Sequence, residues 1–170
     1  MNHFELYNIP VTLQPDAQQL KQKFYSLSRQ YHPDFFTQEN ESDQAEALEK
    51  SSQVNKAFKV FQNRDETIKY VLQLKDLIED EEKYNLPPDF LMEMMELNEK
   101  MMDAKMAGDD ATMKAELKKE LSDFEEQIYQ PVKSIIEGYK EGITTKEELL
   151  KVKEYYYKKK YLNRILATIV

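Results

Sequence analysis

The chain has 170 residues, 41% hydrophobic and 33% charged, and its 24 basic and 32 acidic side chains leave a net charge of −8. Three glycines are too few for the turns of an all-β fold, zero cysteines remove disulfides, thiolate metal sites and thiol catalysis, and two histidines are too few for a histidine-rich site, so neither metal nor cofactor is expected. The acidic balance argues against nucleic acid, and the absence of any apolar run of roughly 18 residues, or of a signal-like opening in Met1–Leu6, leads to the expectation of a cytoplasmic protein with no membrane partner.

Phe4, Leu6 and Ile9 predict a short helical turn ahead of Pro10. Leu20, Phe24, Leu27 and Tyr31 recur at helical spacing and predict a helix over 16–31, with Asp16 as its N-cap behind Pro15. Pro33 disfavours α geometry at His32, so this helix stops near Tyr31 and a loop runs over 32–43. Leu48, Ser51, Val54, Phe58 and Phe61 predict a second helix of similar length, and Ala47, Ser51 and Ala57 allow close approach of its neighbour. With Ile68, Val71, Leu72 and Leu74 on one more short helix, residues 1–78 form a unit built on an antiparallel helix pair.

Residues 79–89 combine an acidic run with a double proline and are read as a linker. Three helical segments follow, Phe90 to Ala107, Asp109 to about Tyr139 and Thr145 to about Ala167, which predict an elongated three-helix bundle over 90–170 and an all-α chain. Pro131 falls inside the middle segment. Leu117, Leu121, Phe124, Ile128, Val132, Ile135 and Tyr139 keep helical phase through it, which predicts a kink and not an end.

His32-Pro33-Asp34 lies at the tip of the helix pair, after a helix that carries Lys21, Lys23 and Arg29 and no acid between Ala17 and Tyr31. Read from residues alone, this is a solvated basic face and an ordinary loop, or else half of a catalytic triad in a small hydrolase or phosphotransfer protein. The triad ranks well below, because the chain has no Gly-x-Ser-x-Gly elbow, no cysteine and no glycine-rich phosphate loop. With Gln53-Val54-Asn55-Lys56-Ala57-Phe58 in the following helix, the stretch resembles the J-domain of DnaJ-type co-chaperones. That resemblance implies that His32, Pro33, Asp34, Lys21, Lys23 and Arg29 engage an ATP-dependent DnaK/HscA-class chaperone and stimulate its hydrolysis, and that the chain itself is no enzyme.

Six of the eight methionines lie between Met92 and Met106. At about 100° per residue, Phe90, Met94, Leu97, Met101 and Ala104 form one stripe, while Leu91, Met95, Met102 and Met106, extended by Met92, form a second, bordered by Glu96, Glu99 and Asp103. Two stripes mean burial between two neighbours or one face left for a partner.

Phe90-Leu91-Met92-Glu93-Met94-Met95-Glu96-Leu97-Asn98-Glu99 resembles the signature that opens the C-terminal domain of HscB-type J-proteins, and Phe4-Glu5-Leu6-Tyr7-Asn8-Ile9-Pro10 adds to the likeness. The resemblance implies a role in iron–sulfur cluster biogenesis: an IscU-like scaffold protein bound through Leu91, Met92, Met95, Glu96, Glu99, Asp103 and Tyr161 and delivered to the chaperone. The alternative is a J-domain co-chaperone for a different client. Three departures stand out: Phe35 where relatives usually carry a basic residue, Glu66 and Thr67 where they often carry arginines, and no zinc-binding cysteines, which favours a bacterial-type form. The run Tyr155-Tyr156-Tyr157-Lys158-Lys159-Lys160-Tyr161 mixes charge and aromatics as a nucleic-acid site does, but on a helix these seven residues point all round the axis, so it is read as bundle surface.

Overall fold

Short polar side chains set the helix starts in the first half of the chain. In the computed structural model, which describes residues 1–108 and 111–169, Asn2 caps α1 (His3–Tyr7) and Asp16 caps α2 (Ala17–Gln30). Asn40 caps α3 (Glu41–Gln62) and Asn63 caps α4 (Arg64–Leu74). Each cap oxygen accepts from a backbone N–H two or three residues on, worth about 1 kcal/mol per helix.

The chain divides into two units, the first comprising Met1–Lys75 with Tyr139–Thr144. Its core is Phe4, Tyr7, Leu20, Val54, Phe61, Ile68 and Leu72, all buried. Phe24 of α2 stacks on Phe58 of α3 with ring centroids 4.0 Å apart, and the buried Tyr7 hydroxyl donates to the Val54 carbonyl at 2.7 Å. Such a ring pair adds about 0.5–1.5 kcal/mol beyond its buried area. Two expectations need correction. Helix α3 has 22 residues against 14 in α2, and Leu48 is exposed while its neighbour Ala47 is buried. The buried stripe Ala47, Val54, Ala57, Phe61 is spaced seven, three and four, and Leu48 stands about 100° off it. Glu141, on Tyr139–Thr144, pairs with Lys75 and accepts from the Tyr139 hydroxyl.

The second unit comprises Asp76–Gly138 and the chain from Thr145 onward. It contains α5 (Pro88–Met106), α6 (Ala111–Tyr129), a 3₁₀ turn (Gln130–Val132), α7 (Lys133–Glu137) and α8 (Lys146–Ile169). Gly108, at φ +83°, takes the left-handed conformation that follows the end of α5; Asp109, at which the sequence starts the next helix, lies outside the described residues. Phe90, Met94 and Leu97 of α5, Leu121 of α6 and Leu162 and Ile165 of α8 make one core.

Pro131 does more than kink its helix. The α-helical ladder stops at Tyr129 and a 3₁₀ turn takes over, because proline has no N–H to donate and its ring crowds the carbonyl four residues back. Val132, Ile135 and Ile136 are nonetheless buried, so the apolar face survives the break in the ladder.

The acidic stretch before α5 carries its own anchors. Glu82 pairs with Lys153 of α8 at 2.9 Å, Tyr84 stacks on Tyr157 at 4.6 Å, and Ile78 is buried. Residues 76–89 accordingly belong to the second unit, where the sequence alone places a linker at 79–89.

Candidate functional site

Helix α2 closes with the Tyr31 N–H donating to the Leu27 carbonyl at 3.0 Å. His32 is then extended, at φ −63° and ψ 128°, as the following proline requires. Pro33 opens a 3₁₀ turn over Pro33–Phe36, closed by the Phe35 N–H donating to the His32 carbonyl at 3.0 Å. The Asp34 N–H donates to His32 Nδ1 at 3.2 Å, so the neutral ring carries its proton on Nε2. Asp34 Oδ2 lies 3.5 Å from the same Nδ1, with both side chains largely exposed. A nitrogen already accepting a hydrogen bond does not also donate to that carboxylate, and nothing encloses the pair. The tripeptide is a solvent-facing turn held by Pro33 and two local hydrogen bonds, unlike a dyad held in a cleft.

Around this turn the helix distributes its charges unevenly. Lys21 and Lys23 lie about 160° apart on α2, whereas Arg29, in the last turn, projects directly away from the core side. Lys21 borders a groove lined by Leu20, Phe24, Phe58, Phe61 and Arg64, and Lys23 is half-buried on the other flank. Phe35, 68% exposed, sets its ring edge-on to His32 with centroids 6.1 Å apart. Thr67 is buried and its hydroxyl donates to the Val60 carbonyl at 2.8 Å, so that position serves the α3–α4 corner.

On α5 the two stripes separate. Phe90, Met94 and Leu97 are buried, while Met92 and Met95 are 65% and 62% exposed and Leu91 is 38% exposed. Met102 and Met106 continue the exposed stripe, and Glu96, Glu99 and Asp103 stand in solvent along its border. Tyr161 of α8 packs edge-on against Phe90 and lines a cleft of about 390 Å³ together with Leu91, which joins the α8 aromatic to the α5 face. Tyr155 and Tyr156 are buried and Lys158 lies over the Phe90 ring, so the tyrosine–lysine run presents no continuous stacking face.

The cleft is completed by Glu82, Lys83, Tyr84, Asn85, Leu86, Tyr157, Lys160 and Arg164, of which the sequence singles out only Tyr157 and Lys160, as bundle surface. The spacing of 157, 160, 161 and 164, one helical face, was the available signal. Among the described residues no three His, Asp or Glu side chains come together as a metal site, and no helix is long and apolar enough to cross a membrane.

An antiparallel helix pair tipped by His-Pro-Asp defines a J-domain protein, and residues 2–70 match the DnaJ domain family. Residues 86–170 match the family described as the HSCB C-terminal oligomerisation domain. A co-chaperone protein HscB homolog of Photobacterium profundum is 36% identical over 135 residues, covering 79% of this chain and 75% of that one. The chain belongs to the HscB co-chaperone family. The crystal structure of the human co-chaperone protein HscB superposes with a TM-score of 0.81 at 24% identity, covering 99% of this chain and 80% of that one. The chaperone HscB from Vibrio cholerae gives 0.69 at 24% identity over the full length of both. The two structures bear out the all-α fold of a J-domain followed by a helical bundle.

Proposed function

We propose that this chain is a non-enzymatic adaptor that brings an IscU-like iron–sulfur scaffold to a DnaK/HscA-class chaperone in the cytoplasm and triggers ATP hydrolysis there. The observation that carries the reading is the coexistence on one chain of an exposed His32-Pro33-Asp34 turn and an exposed Leu91, Met92, Met95 face whose opposite side, Phe90, Met94 and Leu97, is buried in the bundle core. The turn costs little entropy to present, because Pro33 and two local hydrogen bonds hold it. Arg29 and Lys21 supply positive charge for steering toward an acidic chaperone surface.

On the second unit, Met92 and Met95 offer adaptable apolar area, Glu96, Glu99 and Asp103 give the acidic border, and Tyr161 backs Leu91. The cluster remains the scaffold's cargo, and no step of this function passes through a group held by the chain, which has no cysteine. Titration calorimetry of the purified chain against the IscU-like scaffold of the same cell tests the reading. Saturable one-to-one binding that Met92→Ala with Met95→Ala weakens is expected; no binding at all, with capture of another client, contradicts it.

A further inference from the structure

The cleft between residues 82–86 and α8 is lined mainly by charge of one sign. Its lining contains three cations, Lys83, Lys160 and Arg164, against one carboxylate, Glu82. That carboxylate is already neutralised: Lys153 Nζ lies 3.0 and 2.9 Å from its two oxygens, and although burial opposes ionisation, the hydrogen bond and charge of Lys153 hold the Glu82 carboxyl below the ordinary carboxylate range. Lys83, Lys160 and Arg164 make no ion pair among the described residues, in a chain whose net charge is −8. Three exposed cations against one carboxylate, itself paired with Lys153, leave the lining positive on an acidic molecule. The stacked Tyr84 and Tyr157 rings form one wall, and Leu91 and Tyr161 form the side continuous with the exposed α5 face.

We propose that this cleft receives a carboxylate-bearing segment of the IscU-like scaffold, an inference that rests on the function proposed above. Arg164 offers the planar fork that matches a carboxylate in two parallel hydrogen bonds, and Lys160 and Lys83 add point charges beside it. The acidic border runs away from the cleft along α5, with Glu96, Glu99 and Asp103 lying 5, 8 and 12 residues, or about 8, 12 and 18 Å, beyond Leu91. The docking surface thus has a basic end at the cleft and an acidic end on α5. A partner with the opposite order of charges fits in one direction only, and the reversed pose sets like charges together.

The test uses the full chain and purified IscU-like scaffold. Lys160→Glu with Arg164→Glu is expected to weaken binding at least about tenfold, with unchanged helical circular dichroism, and Lys160→Gln with Arg164→Gln less. Carbodiimide, which joins an amine directly to a carboxylate, is expected to link Lys160 or Lys83 to an Asp or Glu of the scaffold. If both double variants bind like wild type while Met92→Ala with Met95→Ala weakens binding, the cleft proposal is overturned and the function stands. If wild type does not bind, both fall. Sedimentation showing a dimer of this chain that the Glu variant dissociates assigns the cleft to a second copy and likewise overturns it.

Discussion

Met94 and Met95 are adjacent in sequence and opposite in environment: Met94 is fully buried between the bundle helices and Met95 is 62% exposed. One helical step of about 100° separates a core side chain from a surface one, and the same division runs along α5 from Phe90 and Leu91 onward. The helix holds the bundle with one side and offers the other.

This division predicts opposite phenotypes. Met92→Ala with Met95→Ala removes exposed thioethers and is expected to weaken scaffold binding by at least about 1 kcal/mol with little change in folding stability. Leu97→Ala, at a buried site, is expected to cost about 2–5 kcal/mol of stability through lost burial and a cavity. Urea denaturation and calorimetry on the same preparations separate the two. A double variant that unfolds the bundle while each folded molecule binds normally would place the exposed stripe in the core.

The basic helix predicts a kinetic effect. Raising salt is expected to slow association with the chaperone while changing dissociation little. Because Arg29 projects away from the core and Lys23 is half-buried on a flank, Arg29→Glu is expected to lower the on-rate more than Lys23→Glu. Stopped-flow association at two ionic strengths reads this, and a salt-independent on-rate would mean an apolar contact.

His3 predicts an acid-side loss of stability in the first unit. Its imidazole stacks on Tyr70 at 4.3 Å, and burial, reinforced by the charge of Lys56, holds its pKa below 6.5. The unfolded chain therefore takes up the proton first as pH falls, so the stabilisation is complete above about pH 6.5 and is lost as pH drops through that value toward the folded pKa. Urea midpoints are expected to fall between about pH 7 and pH 5, and to fall less for His3→Phe, which keeps a ring on Tyr70 and gains no proton. Equal slopes for the two proteins would assign the titration to another group.

Local period and local caps were legible in the sequence: Asp16 as N-cap, the stop before Pro33, and the two stripes of α5 all follow from spacing within one helix. Pro131 was not, because Leu117 through Ile135 keep an apolar phase whether the ladder is α-helical or tightened into a 3₁₀ turn, and only the backbone hydrogen bonds distinguish these. Leu48 misled for a related reason, since hydrophobicity does not say which neighbour a side chain meets. The anchors of residues 76–89 and the α8 cleft depend on pairs such as Glu82 with Lys153, 71 residues apart, for which no local pattern exists. The role proposed for Leu91, Met92 and Met95 rests on family resemblance, whereas the stripe they share follows from helical period alone.

If His32-Pro33-Asp34 is the trigger, ATP hydrolysis by the DnaK/HscA-class chaperone, with the IscU-like scaffold present, reads it directly. Wild-type chain is expected to raise the turnover rate; Asp34→Asn, changing an exposed side chain that contributes little packing, is expected to fold and bind scaffold normally and give no stimulation. Full stimulation by Asp34→Asn, or ATP hydrolysis by the chain without any chaperone, would rule out the trigger role.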